Sequence, residues 1–282
     1  MTDRYAVIGN PISHSKSPQI HQMFAAQTGQ DISYEKIEAP LDGFAATIQR
    51  LRDEGYKGCS VTVPFKFEAF KLATELSTFA QIAEAVNTLK LNFRGNTILG
   101  DNTDGHGLVK DIRFNLGIKL NQKRVLLIGA GGAASGVALP IMHQGAVLTI
   151  INRNAEKASN LATHAGNFID KLPIEANVQS YAPSGCSFDY ISNQKFDVVI
   201  NATSAGLTDS ELPLPPTIFS PNALAYDMMY GRQTPFMKFA HEHGAQVADG
   251  LGMLVEQAAE AFYLWRGVRP DTAPVIAALR LT

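Results

Sequence analysis

The segment Gly129-Ala130-Gly131-Gly132-Ala133-Ala134 constrains this chain more than any other. It follows directly on Val125-Leu-Leu-Ile128, an apolar run too short for a helix, and opens a helical pattern from Ser135 to His143. A short apolar run bounded by glycines reads as a strand of a parallel sheet, buried on both faces. A strand entering a helix through G-x-G-x-x-A is the form of the dinucleotide fingerprint. The first glycine makes the tight turn, the second lets backbone approach a pyrophosphate, and the small last residue lets the helix pack closely. The helix then offers free N–H groups and its positive dipole end to the phosphates. A glycine-rich turn also arises wherever positive φ is needed, so the surrounding elements must decide. Pro140, inside the helix, is expected to kink it or restrict its final turn.

The surroundings favour the fingerprint. Apolar runs at Val147–Ile151, Phe196–Ile200 and Ala223–Tyr226 alternate with helical patterns at Ala155–Ala165 and Pro235–His243, the spacing of βαβ units in a doubly wound sheet. Phe168 to Gln194 has mixed polarity and reads as a short strand plus an exposed loop. The first half alternates too. Strands are expected at Tyr5–Ile8, Tyr34–Ala39, Gly58–Val63, Ala85–Leu91 and Asn96–Leu99. Helices are expected from Ser17, over Leu41–Glu54, from Lys66 and over Gly105–Leu116. Met253–Arg266 and Pro270–Leu279 are helical and come after the second series has ended. The expectation is therefore an α/β protein of two domains. Residues 1–104 would form an N-terminal mixed or parallel α/β domain and 105–250 a Rossmann-like dinucleotide domain, with 251–282 as helices returning to the first domain. A length of 282 residues exceeds a usual single core.

The end of the second strand of a dinucleotide fold selects the cofactor, because an NAD site wants a carboxylate there for the ribose 2′-hydroxyl. This chain has Asn152-Arg153-Asn154. Arg153 and Lys157 could instead clamp a 2′-phosphate by charge-assisted hydrogen bonds, which points to NADP. Both could equally be solvated residues at a helix start; the glycine loop tips the reading.

In the first half, Ser15, Ser17, Thr62, Lys66, Asn87 and Asp104 gather at strand ends, where open α/β sheets form their binding crevice. Each has a plain alternative: Ser17 and Asp104 as helix caps, Lys66 as a surface lysine, Asn87 as a core amide. Together they supply what reading a polyhydroxylated acid and moving a proton requires. Cys59 reads as core.

Composition narrows the partners. A formal net charge of −2 gives no basic field for nucleic acid or an anionic membrane. The two cysteines, Cys59 and Cys186, form no Cys-x-x-Cys pair, so neither a disulfide framework nor a metal site is expected. No secretory signal or membrane span is read, which leads to the expectation of a cytoplasmic protein, monomer or homodimer.

Taken in order, Gly9-Asn-Pro-Ile-Ser-His-Ser-Lys-Ser-Pro18, Val61-Thr-Val-Pro-Phe-Lys66, Ala85-Val-Asn-Thr88, Gly100-Asp-Asn-Thr-Asp-Gly105, Gly129-Ala-Gly-Gly-Ala133, Asn201-Ala-Thr-Ser204 and Asp249-Gly-Leu-Gly-Met253 resemble the shikimate dehydrogenases across essentially the whole chain. The resemblance implies NADPH-dependent, reversible reduction of 3-dehydroshikimate to shikimate, on the route to chorismate and aromatic amino acids. It implies that Ser15 and Ser17 hold the substrate carboxylate, that Thr62, Asn87, Asp104, Tyr230 and Gln257 contact its hydroxyls and carbonyl, and that Lys66 and Asp104 flank the reacting oxygen. For the cofactor it implies Gly129, Ala130, Gly131, Gly132 and Ala133 at the pyrophosphate. Asn152, Arg153, Asn154 and Lys157 fall at the adenosine phosphate end, with Met228 and Gly250 on the nicotinamide side. Hinge closure around a cleft, with hinges near Asp104 and Gly250, is a further expectation. Two departures stand out. Asn154 replaces the family's usual Thr, with an expected weakening of 2′-phosphate recognition, and Ser60 replaces an Asn, with an expected effect on local hydrogen bonding. The rival readings are a quinate/shikimate dehydrogenase using NAD or NADP, against which Arg153 argues, and a non-catalytic dinucleotide sensor, which has no need of Lys66 and Asp104 together.

Overall fold

The computed structural model describes residues 2–169, 178–203, 205 and 209–281. Ser204 and the middle of the 168–194 stretch lie outside them. The chain forms two compact units, one of residues 1–107 with 254–282 and one of residues 108–253.

The first unit holds β1 (Asp3–Gly9), α1 (Ser17–Thr28), β2 (Ile32–Glu38), α2 (Phe44–Asp53), β3 (Gly58–Val61), α3 (Lys66–Leu72), β4 (Glu75–Leu76), α4 (Thr78–Ala83), β5 (Thr88–Phe93) and β6 (Thr97–Asp101). Its sheet runs β2-β1-β3-β5-β6-β4. β1, β2 and β3 are mutually parallel, whereas β5 runs antiparallel to both β3 and β6. The hairpin between β5 and β6 turns through Arg94, Gly95 and Asn96, with positive φ at Arg94 and Gly95 (45° and 90°).

Register decides what this sheet can present. Ser60 pairs with Thr88 and Thr88 with Asp101. Because β5 is reversed, the chain just after β3, just before β5 and just after β6 all emerge at one sheet edge, and β1 ends there too, since Ile8 pairs with Val61. One face of the sheet packs on a core that includes Phe44, Ile48, Leu51, Phe65, Leu89 and Ile98. A second cluster joins Tyr5, Val7, Ile12 and Tyr34 to Ala261 and Trp265 of the C-terminal α9 (Leu251–Arg266). There the Trp265 indole donates to Leu89 O at 3.0 Å. The approach needs Gly58, where a Cβ would lie 2.4 Å from the indole nitrogen. His21 lies wholly buried beside these rings, stacked on Tyr34 at 4.2 Å between centroids, and neither ring nitrogen has a hydrogen-bond partner among the described residues.

The second unit carries the rest of α5 (Asp104–Lys110), a π-helical turn over Asp111–Asn115, β7 (Arg124–Ile128), α6 (Gly132–His143), β8 (Val147–Ile151), α7 (Ala155–Ile169), β9 (Ser184–Cys186), β10 (Phe196–Asn201), β11 (Phe219–Asp227), α8 (Pro235–Glu242) and β12 (Gln246–Ala248). Every pairing is parallel, in the order β9-β8-β7-β10-β11-β12. Counted within the unit this is 3-2-1-4-5-6, the doubly wound dinucleotide order, whose reversal point lies between β7 and β10. Central strands are buried on both faces, and Val125, Leu126, Leu127 and Ile128 have no exposed surface.

Several sequence expectations shift. α2 begins at Phe44 rather than Leu41, because Gly43 N–H closes a turn on Pro40 O at 2.9 Å. β3 stops at Val61, although Thr62 N–H still donates to Ile8 O at 2.9 Å; Pro64 has no N–H to continue the ladder. β4 and α4 are additional short elements. Asn87 lies one residue before β5, although its N–H donates to Asp101 O at 3.0 Å and its carbonyl accepts from Val61 N–H at 2.7 Å; the chain leaves the sheet at Val86, whose N–H donates to Lys66 O. The helix expected over 105–116 begins at Asp104 and passes into the π turn. α6 continues through Pro140 and ends three residues on, with Gln144 N–H bonded to Ile141 O in a tightened final turn. Within 168–194, the described parts are the end of α7, β9 and a 3₁₀ turn at Phe188–Ile191. No helix among the described residues is long and apolar enough to cross a membrane.

Candidate active site and dinucleotide loop

The shared sheet edge of the first unit gathers most of the polar residues picked from the sequence. Lys66 is the first residue of α3, and its ammonium lies 2.5 Å from Asp104 Oδ2, with the two side chains 19% and 9% exposed. Asp104 Oδ1 accepts from Asn87 Nδ2 at 2.7 Å. Each carboxylate oxygen of Asp104 therefore has its own donor. The loop leading into α5 holds it there: Asn102 Oδ1 accepts the Asp104 N–H at 3.2 Å while Asn102 Nδ2 donates to Ala85 O at 3.0 Å. Gln257 on α9 also reaches this cluster, its Oε1 lying 3.3 Å from Asn87 Nδ2 and 3.4 Å from Thr103 Oγ1.

Ser17 does not cap α1: it is the first helical residue, and the capping position is Lys16, whose side chain makes no cap bond. The Ser15 hydroxyl accepts the Ser17 N–H at 3.3 Å and lies 3.2 Å from the Ser17 hydroxyl, which places the two hydroxyls side by side at the start of α1. Thr62 follows β3 and rests on Gly9, where a Cβ would lie 2.5 Å from the Thr62 methyl. Ser60, the departure within β3, accepts from the buried Tyr34 hydroxyl at 2.8 Å. Cys59 is fully buried, and burial pushes its thiol up out of reactive range.

In the second unit, Gly129 has φ +113°, a conformation that side chains rarely adopt, and a Cβ there would meet Thr203 and Ala202 at 3.2–3.3 Å. Gly131 is the capping residue of α6 and a Cβ on it would enter open space. Among the described residues nothing in the packing asks for glycine at that place, whereas a ligand approaching the backbone would. Gly132 opens α6, Ala130 and Ala133 flank it partly exposed, and Ala134 is fully buried against the sheet.

The pairing of Ile128 with Ile151, and the Gly129 N–H to Ile151 O bond at 2.8 Å, bring Asn152-Arg153-Asn154 beside this loop. Arg153 and Lys157 are exposed and neither forms an ion pair among the described residues. The departure Asn154 has a structural duty: its Oδ1 accepts the Lys157 N–H at 3.2 Å at the start of α7, while its carbonyl accepts from Asn152 Nδ2 at 3.1 Å. No carboxylate stands at Asn152–Asn154, so the residues present fit a 2′-phosphate better than a free ribose hydroxyl.

Met228 and Gly250 meet. A Cβ on Gly250 would lie 2.3 Å from Met228 O, and Gly250 N–H donates to Met229 O at 2.9 Å. Tyr230, two residues on, is half-buried, and burial pushes its phenol up. Sequence reasoning missed what holds this corner. Asp227 has no exposed surface, and its carboxylate accepts from Thr234 Oγ1 at 2.5 Å, Met229 N–H at 3.0 Å and Asn201 Nδ2 at 3.2 Å. Burial pushes this carboxyl upward against the pull of those three donors. The only signal was the proximity of Asp227 to Met228 in the chain. Among the described residues, no group of His, Cys, Asp and Glu could hold a metal ion.

A doubly wound parallel unit with a glycine turn at its reversal point, joined to an α/β unit whose strand ends pair a lysine with a carboxylate, defines a two-unit dinucleotide-fold protein. Three family models match along the chain: shikimate dehydrogenase substrate binding domain over residues 7–89, shikimate / quinate 5-dehydrogenase over 111–208, and shikimate 5′-dehydrogenase C-terminal domain over 250–280. The chain is 58% identical over 280 residues to shikimate dehydrogenase (NADP(+)) of Methylobacillus flagellatus, covering 99% of each. It is 57% identical to that of Herminiimonas arsenicoxydans, covering 99% of this chain and 98% of the other. Among solved structures, an Ael1 enzyme from Pseudomonas putida is similar at 47% identity and a TM-score of 0.88, with 99% of this chain and 98% of that one covered. Shikimate 5-dehydrogenase from Thermus thermophilus, solved with NADP(H) and shikimate, is similar at 30% identity and a TM-score of 0.85, with 99% of each covered. The chain belongs to the shikimate dehydrogenase family.

Proposed function

We propose that this protein is an NADP-dependent shikimate dehydrogenase, which reversibly reduces 3-dehydroshikimate to shikimate. Bound NADPH supplies the hydride. The chain's own residues do the rest. Gly129 to Ala133 and the start of α6 receive the pyrophosphate on backbone N–H groups, Arg153 and Lys157 hold the 2′-phosphate, Asn152 and Asn154 shape that end, and Met228 and Gly250 line the nicotinamide side. Ser15 and Ser17 hold the substrate carboxylate through their hydroxyls, and Thr62, Asn87 and Gln257 read its oxygens.

The observation that carries the reading is the Lys66–Asp104 pair at 2.5 Å with Asn87 on the opposite carboxylate oxygen. An ammonium held by a carboxylate beside a carbonyl can deliver a proton to the oxygen as the carbon is reduced; Asp104 keeps the ammonium aimed and stabilises its charge. In oxidation the same amine takes the proton back. A dinucleotide sensor needs no such pair. The protein acts in the cytoplasm on a small hydroxy acid, binds neither nucleic acid nor membrane, and works as a monomer or homodimer.

The test is absorbance at the reduced-nicotinamide band with shikimate or quinate and either NADP or NAD. Turnover favouring NADP supports the reading. Turnover with quinate and NAD moves the protein to the dual-specificity branch, and dinucleotide binding without any turnover moves it to the sensor.

A further inference from the structure

We propose that Thr88, a residue with no exposed surface, is a positioning residue for the Lys66–Asp104 pair, acting by anchoring the carbonyl end of the Asn87 amide, whose orientation the Thr103 N–H and the Asp104 carboxylate set. This rests on the reduction proposed above and adds a residue to its machinery.

The two ends of an asparagine amide have almost the same shape, so only their neighbours decide their orientation. Two groups around Asn87 have no choice of role. The backbone N–H of Thr103 can only donate, and it lies 2.9 Å from Asn87 Oδ1. The Asp104 carboxylate, when ionised, can only accept, and its Oδ1 lies 2.7 Å from Asn87 Nδ2. The Thr103 hydroxyl does not discriminate, since it stands 3.0 Å from Nδ2 and 3.2 Å from Oδ1. With the orientation set by the Thr103 N–H and the Asp104 carboxylate, the Thr88 hydroxyl, 2.9 Å from Asn87 Oδ1, donates to the carbonyl end and anchors it.

Thr88 is well placed to hold that bond rigidly. It has no exposed surface, and as the first residue of β5 it is paired to Ser60 on one side and Asp101 on the other. Its branched side chain is restricted at χ1. With Oδ1 tied by Thr88 and Thr103, the N–H end must face Asp104 Oδ1, which leaves Oδ2 to Lys66. Turned the other way, the amide would set a carbonyl against the carboxylate and an N–H against an N–H. The motif Ala85-Val-Asn-Thr88 thereby gains a reason for its last residue, beyond the Asn that reads substrate.

Thr88→Val keeps the shape and removes the hydroxyl, whereas Thr88→Ser keeps the hydroxyl. The experiment measures kcat and KM for shikimate oxidation, the solvent deuterium isotope effect on kcat, and the melting temperature of each variant. Thr88→Val is expected to lose about tenfold in kcat, the scale of one buried hydrogen bond, with KM moving less and the isotope effect rising. Thr88→Ser is expected within about twofold of the wild type, the two rates differing by less than that one bond. Should Thr88→Val fold poorly, Thr88→Ala repeats the loss of the hydroxyl without the bulk. Wild-type turnover of shikimate together with an unchanged rate and isotope effect in the hydroxyl-free variants overturns this inference alone. Equal losses in Thr88→Ser and Thr88→Val overturn it too, because shape would then matter rather than the donor. A wild type that does not turn over shikimate rejects the proposed function and takes this inference with it.

Discussion

Lys66 and Asp104, 38 residues apart in sequence, meet at 2.5 Å because the reversed strand β5 brings the chain after β3 and the chain after β6 to one edge. With its other oxygen bonded to Asn87, Asp104 cannot swing away from the lysine without breaking both contacts. Lys66→Ala should lower kcat by roughly 10²–10⁴, the range for loss of a positioned proton donor, while KM for shikimate changes far less. Initial rates across shikimate concentrations check this. A large rise in KM with turnover preserved would reassign Lys66 to binding.

Arg153 is exposed, forms no ion pair among the described residues and stands beside the glycine turn. Arg153→Ala should raise KM for NADP by roughly 10- to 100-fold, the scale of a charged hydrogen-bonded contact of about 1.5–3 kcal/mol. KM for NAD should stay nearly constant. Paired titrations of the two dinucleotides measure it, and an equal change in both would place Arg153 outside 2′-phosphate recognition.

The close approach of Gly250 to Met228 leaves no space for a methyl group, since a Cβ would lie 2.3 Å from a backbone oxygen that cannot rotate away. Gly250→Ala should therefore cost about 1–3 kcal/mol of stability, as overpacking does, and weaken NADPH binding. Denaturant unfolding and dinucleotide titration report the two effects. A variant with wild-type stability would show that the corner yields.

His21 should make the protein sensitive to acid. Burial, with no polar partner among the described residues, depresses its imidazole to about 3, from an unfolded value of 6.5. Between those values the unfolded chain holds a proton that the folded chain refuses, so stability rises with pH across the window. The contribution is intact above about pH 6.5 and drains by up to about 1.4 kcal/mol per pH unit as pH falls toward 3. Urea unfolding of wild type and His21→Phe at pH 7.5 and 5 checks it. The variant should show the shallower dependence, and parallel curves would remove His21 as the cause.

Much of this architecture could be read from the sequence, and what could not has physical reasons. The glycine turn and the apolar runs around it are local signals, so β7, α6, β8 and the position of Arg153 follow from neighbouring residues. Asn87 was expected inside a strand because Ala85 and Val86 extend the apolar run of β5; the chain instead spends the Val86 N–H on Lys66 O. The antiparallel course of β5 depends on pairing with β3, and the approach of Gln257 to Asn87 joins residues 170 positions apart. Neither leaves a periodic trace. The duty of Asn154 in accepting the Lys157 N–H at the start of α7 depends on local chain geometry, which its residue type alone does not reveal. Asp227 was passed over because a buried carboxylate held by three donors has no motif.

The first unit is assembled from two stretches, residues 1–107 and 254–282, with all of the second unit threaded between them. Trp265, which stacks on Tyr5 at 4.8 Å and bonds to Leu89, belongs to the later stretch. During synthesis the N-terminal sheet therefore waits, one aromatic flank open to solvent, until the whole dinucleotide fold has left the ribosome. The unit that is encoded second is the one that can finish first.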